Sequence, residues 1–319
     1  MRAGAATVAF SMKRLLMLIV LVTRCLASSA QLASAAPTTR RPLPAVQHVV
    51  IISVDGLRPD CLLLADTPVL HGLMRNGAYT MWARTTAEAI TLPAHTSMLT
   101  GVTSRKHGIE WNRDLPFGTP VYPKVPTIFE MAAQAGYQTA LVAGKAKFDT
   151  LEKPGTVTFS AILGGAKGTD ANVAAAATNI IEQHKPDLLF IHFPGVDNVG
   201  HDKGWGSPEQ IAAIASLDGH IGTVLAALER TGRRQNTVVI ISSDHGGAAL
   251  THGPDDARSR HIPWIAAGPG VRPDFDLTRV EKLQVDTEDT CATVCWLLGL
   301  AQPEYFDGKA LTDAFEPAK

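Results

Sequence analysis

The chain has 319 residues, with 29 Lys and Arg against 30 Asp and Glu, 45% hydrophobic and 18% charged. So apolar a composition excludes a disordered chain, and a formal net charge of −1 leaves no electrostatic footprint for a nucleic-acid polymer. Four cysteines in this length cannot build a disulfide scaffold, and the core is large enough to fold unaided, so a metal site here would serve chemistry.

Residues 1–36 carry Arg2, Lys13, Arg14 and Arg24 and no acid. An apolar run, Leu15 to Val22, follows Lys13-Arg14, and small residues crowd Ala27–Ala30 and Ala33–Ala36. That order predicts a cleavable signal peptide over 1–36 and export to a periplasmic or secreted location. The run is far short of the ~20 residues of a membrane span, and Arg24 before Cys25 does not suit a lipid-attachment box, so no stable membrane anchor is expected. Without this segment, 25 basic side chains face 30 acidic ones, a net charge of about −5. Cys291 and Cys295, four apart in an apolar helical stretch, read as small buried hydrophobes.

Pro37 to Gln47 is rich in Pro and Arg and reads as a linker, leaving 48–319 as a single catalytic domain. His48–Ser53 is a near-continuous apolar run, the pattern of a buried parallel strand. Thr67-Pro68 opens a helix that stops at Asn76-Gly77, and Thr127–Ala135 is a second helix. Further strands are predicted at Thr139–Ala143, Asp187–His192, Thr237–Ser242 and Ile262–Ala267, and further helices at Asp170–His184, Pro208–Leu228 and Cys291–Leu298. The alternation predicts an α/β fold, with a mostly parallel central sheet flanked by helices on both faces.

Acids and histidines follow three of those strands at once: Asp55, then Asp197 and His201, then Asp244 and His245. Singly each suits a cap or a turn. Together, with His252 close behind, they make a nitrogen and oxygen set suited to two zinc-type cations at the carboxyl ends of strands. Two such ions clamp the attacking and leaving oxygens of a phosphoryl transfer. Thr91, ahead of a helix opening at Pro93, supplies a hydroxyl at the positive end of that helix, where an anion is stabilised.

The string Thr91-Leu-Pro-Ala-His95, running on to Leu99-Thr100-Gly101 and Lys106-His107-Gly108-Ile109, resembles the nucleophile segment of the alkaline phosphatase superfamily, and within it the type I phosphodiesterase / nucleotide pyrophosphatase branch. The likeness extends to Ile52-Ser53-Val54-Asp55-Gly56, to Asp197-x-x-x-His201 and to Ser243-Asp244-His245-Gly246, and spans roughly residues 48 to 310. It implies one zinc held by Asp55, Asp244, His245 and the oxygen of Thr91. It implies a second held by Asp197, His201 and a third histidine. His252 is the first candidate for that place and His261 the alternative, because only six residues separate His252 from His245, where the larger pyrophosphatases carry a long insertion. Asn112, 21 positions after Thr91, matches the asparagine that donates to a non-bridging phosphate oxygen. The resemblance implies in-line attack by Thr91, a phosphothreonine and its hydrolysis.

Sulfatases share this frame but carry Cys or Ser where Thr91 stands, with an Arg soon after. A phosphomonoesterase and a phosphonoacetate hydrolase-like enzyme are the nearest alternatives. A non-catalytic binding protein would most readily lack the nucleophile or a ligand, and none is missing. The expected partner is a small phosphate ester. With Asn112 and no obvious arginine in the matching loops, Arg58, Arg105 and Arg113 reading as surface charges, a diester is expected over a monoester. Lys145 and Lys147 are the exceptions: a lysine placed near the phosphate would favour a dianionic monoester.

Overall fold

The computed structural model describes residues 40–113 and 121–316. The expected signal peptide lies outside them. Strand β1 (His48–Val54), helices α1 (Pro59–Leu64) and α2 (Pro68–Arg75) and strand β2 (Gly77–Arg84) come first. Helices α3 (Thr91–Thr100), α4 (Ser104–His107) and α5 (Ile128–Gln134) follow, then β3 (Thr139–Ala143), β4 (Phe159–Ile162), α6 (Asp170–His184) and β5 (Leu188–Phe193). The rest is α7 (Gly195–Lys203), α8 (Pro208–Arg230), β6 (Thr237–Ser242), α9 (Ala257–Arg260), β7 (His261–Ala267), β8 (Phe275–Asp276) and α10 (Asp289–Leu298).

The strands form one eight-stranded sheet in the order β4-β3-β5-β1-β6-β7-β2-β8. β4, β3, β5, β1 and β6 run parallel, and β7 pairs antiparallel with both β6 and β2. The expected mostly parallel sheet is therefore present. In β1 and β5 every other residue turns to the same side, so Val49 and Ile51 pack with Leu188 and Phe190 under α3, α5 and α10. Val50, Ile52 and Val54 pack with Leu189, Ile191 and Phe193 under α1, α2, α6 and α8. Burial of each such side chain contributes about 1.5–3 kcal/mol, which holds the central strands, and the loops that leave them, rigidly in place.

Two expectations change. Residues 41–47 are not a free linker: Leu43 and Val46 are buried in the core, and the Arg41 guanidinium donates to the Tyr137 hydroxyl at 3.0 Å. The two apolar side chains outweigh the Pro/Arg character of the segment. β2 lacked a clear signal, because its burial does not alternate regularly. It docks on β7 through Gly77, where an added Cβ would lie 2.0 Å from the Ala266 carbonyl oxygen.

Candidate metal centre and active site

The ligand-type residues converge at one edge of the sheet. Asp55 follows β1, Asp197 lies in the first turn of α7 after β5, and Asp244 and His245 follow β6. Because these strands are parallel, their carboxyl ends share that edge. His201 lies one turn after Asp197 on α7, and its Nε2 is 3.4 Å from Asp197 Oδ1. His252 brings its Nε2 to 3.8 Å from the same oxygen, and its ring stacks on His245 at 3.6 Å between centroids. His261 is elsewhere: its ring packs edge-on against Trp82, so the structure joins His252 and not His261 to the cluster.

Asp55, Asp197 and Asp244 are buried, and each divides its two oxygens. Lys145 Nζ stands 2.6 Å from both Asp55 Oδ2 and Asp197 Oδ2. The Gly56 N–H donates to Asp244 Oδ1 at 3.1 Å. The remaining oxygens, Asp55 Oδ1, Asp197 Oδ1 and Asp244 Oδ2, have no hydrogen-bond partner. A buried carboxylate oxygen without a partner is costly unless a cation meets it. These oxygens face the histidines. Asp55 Oδ1 and Asp244 Oδ2 lie 3.3 and 3.2 Å from His245 Nε2, and Asp197 Oδ1 lies 3.9 Å from it.

Each of the three histidines is turned the same way. His245, His252 and His201 place Nδ1 against the carbonyls of Gly246, Ala89 and Leu250 at 2.8, 2.8 and 3.0 Å. Those carbonyls can only accept, so each Nδ1 carries the proton and each Nε2 presents a lone pair to the cluster. Two groups result that could hold a metal, Asp55-Asp244-His245 and Asp197-His245-His252, their ligand atoms within 4.8 Å of one another. The first is wholly buried, whereas in the second His252 is only part-buried and His201, beside it, is 44% exposed.

The electrostatics agree. Burial opposes charge on Asp55, but Lys145 and then His192 outweigh it and hold its carboxyl well below the usual range. Burial, followed by the nearby Asp55 and Asp197, pushes Asp244 well above that range. A dication at its free oxygen would reverse this. Burial takes His245 down to about 4 and lowers His252, so both are neutral, as ligands must be.

Thr91 is buried at the first position of α3, with its hydroxyl 3.4 Å from His245 Nε2. The helix opens at Thr91 rather than Pro93, and Thr91 is no cap: that position is Ile90, which has no capping side chain. The Leu92 N–H donates instead to Asn112 Oδ1 at 3.1 Å. Lys147 Nζ donates to the same oxygen at 3.0 Å. Both partners are donors, which fixes the Asn112 amide and leaves its NH₂ to donate elsewhere.

Three further residues belong to the cluster. Lys145, flagged in the sequence for a place near the phosphate, bridges two carboxylates. Its turn reaches them because Gly144 packs against Pro194, where an added Cβ would sit 2.4 Å from the proline ring. His192 receives the Gly144 N–H at Nδ1 (3.2 Å), so its protonated Nε2 donates to Asp55 Oδ2 at 2.9 Å. His95 spends both nitrogens, donating from Nδ1 to the Thr91 carbonyl at 2.8 Å and accepting from Ser53 Oγ at 2.7 Å. It pins the first turn of α3. The sequence carried no signal for His192; its register beside Ser53 across the sheet shows its place.

The mixed, mostly parallel sheet flanked by helices is an alkaline phosphatase-like fold. The sequence profile of the type I phosphodiesterase / nucleotide pyrophosphatase family matches residues 49–127 and 110–262, and the chain belongs to that family. It is 26% identical over 221 residues to an uncharacterized pyrophosphatase/phosphodiesterase of Schizosaccharomyces pombe, covering 63% of this chain and 44% of that protein. It is 36% identical over 105 residues to arylsulfatase K of Danio rerio, covering 31% of this chain and 19% of that one. The chain thus spans less than half the length of these two relatives. Among solved structures it resembles murine ectonucleotide pyrophosphatase / phosphodiesterase 5, an inactive variant in complex with AMP, with a TM-score of 0.71 at 18% identity over 85% of this chain and 100% of that one.

Proposed function

We propose that this protein is an exported hydrolase of phosphodiester or pyrophosphate bonds that holds two zinc ions and works through a phosphothreonine at Thr91. One observation carries the reading: three buried carboxylate oxygens without partners converge with inward-turned histidine nitrogens beside a buried threonine hydroxyl. Asp55, Asp244, His245 and Thr91 would hold one ion, and Asp197, His201 and His252 the other. When bound, such ions lower the pKa of the attacking hydroxyl and offset charge on the attacking and leaving oxygens.

The chain's own groups do the rest. Thr91 Oγ1 attacks phosphorus; the Oγ1–P bond forms as the bond to the leaving oxygen breaks, and the threonine proton leaves to solvent. The N-terminus of α3 favours the anionic group, and the Asn112 NH₂ donates to a non-bridging oxygen. Water then attacks the phosphothreonine, restores Thr91 and releases the phosphoryl product. His95 and the Asn112–Leu92 bond hold Thr91 in line throughout. Threonine is a secondary alcohol and cannot be oxidised to the aldehyde of a sulfatase, which argues against sulfatase chemistry. Export rests on the basic, apolar and small-residue order of residues 1–36.

Rapid acid quench during turnover of a phosphodiester, followed by peptide mass spectrometry, should find phosphate on Thr91. Thr91→Ala should lower kcat by about 10³-fold or more while the fold persists. Near-normal turnover in that variant would show that water attacks directly.

A further inference from the structure

We propose that Trp205 is the positioning residue of the second ion group: its indole fixes the rings of His201 and His252, and so sets the group that would meet the leaving oxygen. The inference rests on the two-ion reading above and deepens it. Trp205 stands in the turn between α7 and α8 and is 7% exposed. Its ring meets His201 edge-on at 5.0 Å between centroids and His252 at 5.8 Å. His201 and His252 are themselves 5.0 Å apart, and His252 stacks on His245. The four rings thus form one row that ends on the buried first group.

His201 needs such a wall. Its side chain is 44% exposed, and the bond from Nδ1 to the Leu250 carbonyl fixes one ring atom without fixing the plane of the ring. The indole edge fixes the plane. Trp205 supports the accepting loop as well, because its backbone N–H donates to the Ala249 carbonyl at 2.8 Å, next to Leu250. The indole also ties this group to the rest of the site. Its Nε1–H donates to the carbonyl of Gly56, the residue after Asp55, at 2.9 Å. Gly200, just before His201, and Gly247, shortly after His245, lie against the ring: an added Cβ would come within 2.7 and 2.3 Å of its Cε2. Trp205 therefore touches each segment that carries a ligand, after β1, β5 and β6.

The indole offers an ion no ligand atom of its own, since Nε1–H is a donor and is spent on Gly56. It acts through the histidines. The first group depends on it less: Asp55 is held by Lys145 and His192, and the His245 ring by the Gly246 carbonyl.

The test is calorimetric titration of the zinc-stripped full chain with zinc. The wild type should take up two ions in two steps. Trp205→Leu should weaken one step by about 10- to 100-fold and leave the other near its wild-type affinity. Trp205→Phe keeps a ring edge for the imidazoles and loses the bond to Gly56, so the same step should weaken by about 2- to 10-fold. A merely structural role would lower the melting temperature and weaken both steps alike. Wild-type affinity at both steps in Trp205→Leu, or equal loss at both, overturns the inference. If circular dichroism shows Trp205→Leu unfolded, Trp205→Phe decides, and unchanged affinity in it overturns the inference. A wild type that binds no zinc removes the two-ion reading as well, whereas two wild-type steps that Trp205→Leu leaves intact remove this inference alone.

Discussion

Two of the regions that bury carboxylates treat them differently. At the N-terminus of α10, Asp289 is 5% exposed, with Oδ1 accepting from the Lys309 N–H at 2.7 Å and Oδ2 from the Asp286 N–H at 2.8 Å. Both oxygens are spent on backbone. Its neighbour Glu288 is 7% exposed, and burial pushes its carboxyl up to about 7, so below that pH it is buried as the neutral acid. In the cluster after β1, β5 and β6, Asp55, Asp197 and Asp244 each keep one oxygen unspent, and imidazole lone pairs face those oxygens. Burial and acidity are common to both places. What separates a ligand site from a structural cap is which atoms the surrounding backbone has left unsatisfied.

If that distinction holds, loss of Asp244 should be the most damaging change. Asp244→Ala should reduce kcat by about 10³-fold or more, as should chelation, with zinc restoring the chelated wild type but not the variant. The variant should stay folded, because a charge destabilised by its neighbours is removed. Retained turnover in Asp244→Ala would place the chemistry elsewhere.

Asp289→Ala should do the converse. It strands two backbone N–H groups at about 1–3 kcal/mol each, so the urea midpoint should fall by the equivalent of about 2–4 kcal/mol while kcat of the folded fraction is unchanged. A loss of activity at full folding would blur the two regions into one.

The smallest effect concerns Glu288. Its carboxyl stays protonated in the folded protein up to about pH 7, whereas in the unfolded chain it ionises near 4.5. The folded state therefore binds more protons between those values, and stability should fall as pH rises through that window, by about 1–3 kcal/mol. Glu288→Gln, which mimics the neutral acid, should flatten the decline and be the more stable protein at pH 8. An unchanged slope would mean that Glu288 ionises normally.

The fold's centre was legible because buried parallel strands are apolar without interruption, and 48–53, 187–192 and 237–242 were bounded within a residue of their observed ends. The acids after them were legible because strand ends in such sheets converge. β2 was not, since its pairing with β7 rests on a close approach at Gly77 rather than on a pattern. The ion pairs of Lys145 with Asp55 and Asp197 span 90 and 52 positions, and no local spacing encodes them. His192 was hidden inside a strand that reads as core, because only the sheet register shows that it shares a face with Ser53. The choice between His252 and His261 needed the rings themselves: one stacks on His245, the other packs on Trp82.

The central claim is that the unpartnered oxygens exist to hold metal, and the most direct measurement is the metal content of purified protein by inductively coupled plasma mass spectrometry. The wild type and Asp289→Ala should each carry about two zinc ions per chain, and Asp244→Ala and Asp197→Ala about one or none. A wild type that takes up no transition metal, or an Asp244→Ala protein that keeps the full complement, would contradict it.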